Sequence, residues 1–154
     1  MSMTVRHAVA SDADALAKLS AEFEAYLRTL GDTTEFHFTA ETFRRDGFGD
    51  EPAIRGLVAE HDAVIVGYVL YTFGYDIDIA SRTLNIEDLY VSEQSRKRGI
   101  GKALMEMAQE VCREAGGREL CWSVYKSNAP AYAFYAKLGA KLVDDEDFMY
   151  LPVD

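Results

Sequence analysis

Thr83-Leu-Asn-Ile-Glu-Asp-Leu-Tyr-Val91, followed by Arg96-Lys-Arg-Gly-Ile-Gly-Lys102 and a helical repeat, is the stretch on which the fold turns. The first segment has the length and aliphatic content of a strand. From Ile100 to Ala115 the residues Ile100, Leu104, Met107, Ala108, Val111, Cys112 and Ala115 share one helical stripe, and Gly116-Gly117 closes it. Glu119 to Val124 returns as a strand. Residues 83–124 therefore spell a strand, helix, strand crossover, which sets two strands parallel with a right-handed connection.

Upstream, Gly56 to Glu60 and Ala63 to Phe73 read as strands joined through the polar pair His61-Asp62, the length of a tight hairpin. The second is apolar on both faces, so it belongs inside a sheet covered by helices on both sides. Val5-Arg-His-Ala8 reads as an opening strand. Ser11-Asp-Ala-Asp14 reads as an N-cap with acid in the first turn, and Leu16, Leu19, Phe23, Tyr26, Leu27 and Leu30 form the stripe of a first helix ending near Gly31. A shorter helix starts at Thr39 and stops before Gly47-Phe-Gly49. The last helix begins at the N-cap Asn128, tolerates Pro130 in its first turn and ends at Leu138-Gly139. Ala140 to Val143 and Phe148 to Leu151 are expected to add an edge hairpin. The expected fold is α/β, with a twisted, mixed, mostly antiparallel sheet between helices, in one domain spanning residues 1–154.

Composition narrows the function. Apolar residues make up 49% and charged residues 27%, the balance of a globular protein. The longest apolar stretch, Ala63 to Tyr75, contains Gly67 and Gly74 and falls short of the roughly 20 residues that cross a bilayer. With no charged-then-apolar leader before Val5, a cytoplasmic location without membrane association is expected. Cys112 and Cys121 match neither a CxxC pair nor zinc spacing, and His7, His37 and His61 are isolated, so no metal site is expected. A net charge of −10 argues against nucleic acid and tolerates a cationic partner.

The basic, glycine-bearing turn at residues 96–102 suits an anion. Successive backbone N–H groups at a helix start can surround a pyrophosphate, glycines admit close approach, and three cationic side chains precede Gly99. The spacing is neither a Walker loop nor a dinucleotide GxGxxG. Arg96-xx-Gly99-x-Gly101 resembles the acetyl-CoA loop of the GNAT superfamily of N-acetyltransferases. More narrowly, Asp46-Gly-Phe-Gly49, Tyr75-Asp76, Ile86-Glu-Asp-Leu-Tyr-Val91, Arg96 to Gly101, and Asn128 to Phe134-Tyr135 with Leu138-Gly-Ala140 resemble the spermidine/spermine (diamine) and thialysine N-acetyltransferases. The likeness covers nearly the whole chain.

The resemblance implies a GNAT-like sheet with a splayed cleft for acetyl-CoA and a small cationic amine as acceptor. Leu89, Tyr90 and Val91 would pair with the pantetheine arm, a bulge near Asp88 or Leu89 opening the cleft. Arg96, Lys97, Arg98, Gly99, Ile100, Gly101 and Lys102 would hold the pyrophosphate, with Asn128 also on the coenzyme. Tyr135 would be the general acid, though Phe134 and Tyr135 also suit core packing, and Tyr132 is a weaker candidate. Glu87 and Asp88 are adjacent, so period two sends them to opposite faces unless a bulge intervenes. The family points to Glu87 as base, directly or through a water, with a structural or anchoring role for Asp88; the alternative is that both only attract an ammonium group. Glu24, Asp76 and Asp78 could extend a negative cleft, with Glu24 and Asp76 as substrate contacts. Ser127-Asn128 and Ile77-Asp78 depart from the diamine enzymes on the substrate side. A protein or peptide acceptor, or a silent acyl-CoA-binding module, would use the same loop. Homodimerisation is expected by family analogy alone.

Overall fold

A computed structural model describes residues 2–153. The chain divides into two compact units, Met1–Ser123 and Val124–Asp154. The first holds a five-stranded sheet in the order β1 (Met3–His7), β2 (Arg55–His61), β3 (Val64–Asp76), β4 (Ser81–Val91) and β5 (Glu119–Cys121). Every pairing is antiparallel except β4 with β5, which is the parallel crossover expected from residues 83–124.

Period-two alternation divides the core between the two faces. Val58, Tyr68, Leu70 and Tyr90 pack with Ala13, Leu16 and Leu19 of α1 (Ala13–Thr29) and Phe43 of α2 (Ala40–Asp46). The alternate residues Leu57 and Val69 are equally buried, on the face of α3 (Ile100–Glu114), whose Ile100, Leu104, Met105, Ala108, Val111 and Cys112 are buried. Met105 is buried where the expected stripe had Met107. Gly67 marks a close approach of β3 to α3, since a Cβ there would stand 3.2 Å from Leu104 Cδ1 and 3.1 Å from the Tyr90 carbonyl oxygen.

Local chemistry explains the helix starts. Asp12, not Ser11, organises the entry to α1: its Oδ2 accepts from Val9 N–H at 2.8 Å, and both carboxylate oxygens accept from Arg6. A short 3₁₀ turn, Ala10–Asp12, precedes the α-helix. At α2, Thr39 Oγ1 accepts from Thr42 N–H while Thr42 Oγ1 accepts from Thr39 N–H, a reciprocal cap. The β2–β3 turn falls at Asp62 and Ala63, both at positive φ, one residue later than expected.

The expected strand Glu119 to Val124 shortens to Glu119–Cys121, laddered to Thr83, Leu84 and Asn85. A register shift lies just beyond. Leu70 faces Asp88 while Tyr71 faces Ile86, which leaves Glu87 as an extra residue, and a bulge bends its strand away from straight pairing. Past Asn85, β4 has no strand partner on that side among the described residues.

The second unit contains α4 (Ala129–Lys137), capped as expected by Asn128, whose Oδ1 accepts from Ala131 N–H at 3.3 Å. Residues 140–153 form no strand, unlike the expected hairpin. A strand needs a laddered partner, and between the two apolar runs lies Asp144-Asp-Glu-Asp147, a like-charged run that resists a tight turn.

Candidate active site

The bulge at Glu87 decides the geometry. Regular alternation would send Glu87 and Asp88 to opposite faces; the extra residue returns both to the α1 face. Glu87 Oε1 accepts from Thr72 Oγ1 at 3.0 Å, and Asp88 Oδ2 accepts from Tyr68 Oη at 3.0 Å. Thr72 and Tyr68 are four residues apart on β3, so their side chains share a face. The expectation that at most one of the two acids faces the cleft therefore gives way to a pair.

Glu24 on α1 completes an acidic group. Burial, together with the negative charges of Glu87 and Glu24, pushes the Asp88 carboxyl up to about 6, and the Tyr68 hydrogen bond opposes that rise. Glu24 Oε1 lies 3.3 Å from Arg28 Nη2, yet it is buried and accepts no well-formed hydrogen bond. Neither Glu87 nor Asp88 pairs with a cationic side chain among the described residues. The group is suited to an incoming cation. Asp76 stays apart: it faces Ser81 at the far end of β3, about 20 Å along the strand from Leu70 at the usual rise per residue. There its Oδ1 accepts from Asp78 N–H at 2.8 Å and closes the β3–β4 turn.

Beyond the bulge, β4 leads through Leu89, Tyr90 and Val91 to the basic turn. Lys97 and Gly99 have φ of 64° and 78°, which curls the backbone immediately before the N-terminus of α3. A Cβ on Gly99 would meet nothing within 4 Å, so glycine is favoured there by its backbone angle rather than by crowding. The first turn of α3 carries no acid, leaving its positive dipole end unopposed, and Lys97, Arg98 and Lys102 are exposed around it. These features fit a diphosphate.

Arg96 is engaged differently from its neighbours. Its Nε donates to the Val91 carbonyl at 3.1 Å, and its guanidinium lies over the rings of Tyr90 and Tyr26 at 5.4 and 5.7 Å. It ties the turn to the end of β4 and to α1, so the freer cations are the other three. In the second unit, Tyr135 stands edge-on to Phe134, with ring centroids 5.2 Å apart, and Asn128 spends its side-chain oxygen on the cap.

Residues 17–140 match the model of the Acetyltransferase (GNAT) family. The chain belongs to the GNAT acetyltransferases. Thialysine N-epsilon-acetyltransferase of Bos taurus is 32% identical over 145 residues, covering 89% of this chain and 83% of that protein. Spermidine/spermine N(1)-acetyltransferase-like protein 1 of Homo sapiens is 29% identical over 96% of this chain and 22% of its own length. An integron cassette protein from the mobile metagenome of V. cholerae has the same fold, with TM-score 0.80 at 21% identity, over 100% of this chain and 94% of that one.

This GNAT protein is thus an N-acetyltransferase with the fold its element order predicted. Among its described residues no His, Cys, Asp and Glu group is placed to hold a metal ion, and no helix is long and apolar enough to cross a membrane. Sequence reasoning missed Tyr68 and Thr72. Tyr68 lies in a strand whose apolar run announces only core, and its link to Asp88 depends on a β3–β4 register that residue order alone does not encode.

Proposed function

We propose that this GNAT acetyltransferase transfers acetyl from acetyl-CoA to a primary amine of a small cationic substrate, a diamine, polyamine or lysine-like amine. The observation that carries this reading is the bulge at Glu87, which brings Glu87 and Asp88 onto one face beside Glu24, next to the unladdered part of β4. The names of the thialysine and spermidine/spermine relatives support the same acceptor class.

Leu89, Tyr90 and Val91 offer an extended backbone to an amide-rich pantetheine arm, as a sheet edge does to a peptide. Lys97, Arg98, Gly99, Ile100, Gly101 and Lys102 hold the pyrophosphate, with Arg96 bracing the turn and Asn128 near the coenzyme. When bound, acetyl-CoA supplies an activated thioester. The Leu89 N–H polarises its carbonyl, a type of contact worth a few kcal/mol.

An alkylammonium has a pKa near 10.4 and must lose a proton before its nitrogen attacks. Glu24 and Asp88 anchor the cation, and Glu87, the more exposed acid, takes that proton directly or through a water. Asp76 extends the acidic surface further along β3. Tyr135 holds a proton for the departing sulfur. No covalent enzyme intermediate is needed, and neither cysteine lies in these segments.

Thiol release from acetyl-CoA across diamines, polyamines, lysine analogues and amine-bearing peptides tests the reading. Turnover on free diamines above that on peptides is expected, and no thiol release with any amine overturns it. Tyr135→Phe is expected to lower kcat about 100-fold with little change in KM for acetyl-CoA. We further place the enzyme in the cytoplasm as a one-domain catalyst and homodimer, a setting consistent with its free thiols Cys112 and Cys121.

A further inference from the structure

We propose that Tyr68 is a positioning residue for the amine half of this site: its core-buried hydroxyl donates to Asp88 Oδ2 and fixes that carboxylate beside Glu87 and Glu24 to receive an ammonium group. The inference rests on the acetyl-transfer reading and adds a residue outside the motifs that led to it.

Tyr68 is fully buried on the α1 face, its ring tilted against Tyr90 at 6.4 Å, and Tyr90 in turn stacks on Phe23 at 5.1 Å. Phenylalanine would fill that space and bury no polar atom. A sealed hydroxyl costs free energy unless it is hydrogen-bonded, and here the bond runs 3.0 Å to Asp88. Ser20 Oγ is buried too but has no hydrogen-bond partner among the described residues, so the partner of the Tyr68 hydroxyl is the Asp88 carboxylate. Burial lifts the Tyr68 phenol far above its ordinary range, so it remains a donor wherever the enzyme works.

The groups around Asp88 oppose one another. Burial, Glu87 from β4 and Glu24 from α1 favour its neutral form; Tyr68 from β3 favours the charged one. Tyr90, also on β4, acts on the phenol of Tyr68 rather than on Asp88; Arg28 pairs with Glu24, and no cationic side chain pairs with Glu87 or Asp88 among the described residues. The balance lies at about 6, so at neutral pH the carboxylate is charged and available to a cation, and below that value it is not. Removing the Tyr68 hydroxyl leaves only the groups that oppose the charge.

The test is Tyr68→Phe, read in two ways: carbon-13 titration of the Asp88 carboxyl, assigned by its loss in Asp88→Asn, and the pH profile of kcat/KM for thiol release with a diamine. Both midpoints are expected to rise by about one unit or more, with kcat/KM about tenfold lower on the acid side and recovering in alkali. An unmoved acid limb in a folded, active Tyr68→Phe overturns the proposal and leaves acetyl transfer standing. Should that variant fail to fold, Asp88→Asn is expected to abolish the same acid limb of kcat/KM, and a limb that persists there overturns the proposal. Wild-type protein that releases no thiol with any amine overturns the acetyl-transfer reading, and this inference with it.

Discussion

Asp88 is held in a state that opposes folding at neutral pH. Its carboxyl is raised from 3.8 to about 6 in the fold, so the native state binds the proton more tightly than the unfolded chain does. That contribution is fully present below the unfolded value and is lost as pH rises through about 6. Asp88→Asn keeps an acceptor for Tyr68 and removes the buried charge, so it is expected to stabilise the protein at pH 7 by about 2 to 3 kcal/mol while weakening amine binding. Denaturant melts at pH 7 and near pH 4.5 check it, because the gain shrinks where wild-type Asp88 is already neutral. Asp12 has the opposite sign: the Arg6 hydrogen bonds hold it below the ordinary carboxylate range, and its contribution is lost as pH falls. In the sequence, Glu87 and Asp88 stood out as a pair of acids, but their shared face did not, because a single inserted residue reverses the parity of a strand.

Among the elements, the turn before α3 was the most legible, since two glycines at the start of a strong apolar stripe mark where the chain turns into a helix. Its precision lies in backbone angle. Gly99→Ala places a side chain at φ 78° in open space, so the cost is local strain of about 1 kcal/mol rather than a clash. It is expected to weaken coenzyme A binding about fivefold to tenfold by calorimetry, with a melting temperature lowered by only a few degrees. The helices were readable from caps at Thr39 and Asn128, because a cap is a local hydrogen bond. The ends of β5 and the segment after α4 were not: whether Trp122 to Val124 ladder depends on what β4 does at Glu87, and whether residues 140–151 pair depends on a partner far along the chain.

At the scale of the whole molecule, the net charge of −10 and the three clustered acids would act in the same direction on the cationic substrate proposed above. Screening shortens from roughly 20 to 6 Å between about 0.02 and 0.3 M salt. KM for a doubly charged diamine is therefore expected to rise several-fold over that range, and KM for a singly charged amine to rise less. Initial-rate measurements on the two substrates at matched pH provide the comparison. The three-residue seam between β4 and β5 reaches beyond catalysis. A sheet fastened to its last strand at one end only resembles a clasp left half closed, cheap to part by thermal motion. Any extended ligand lying along the loose half would fasten it, so occupancy and the mechanical integrity of this side of the sheet rise and fall together.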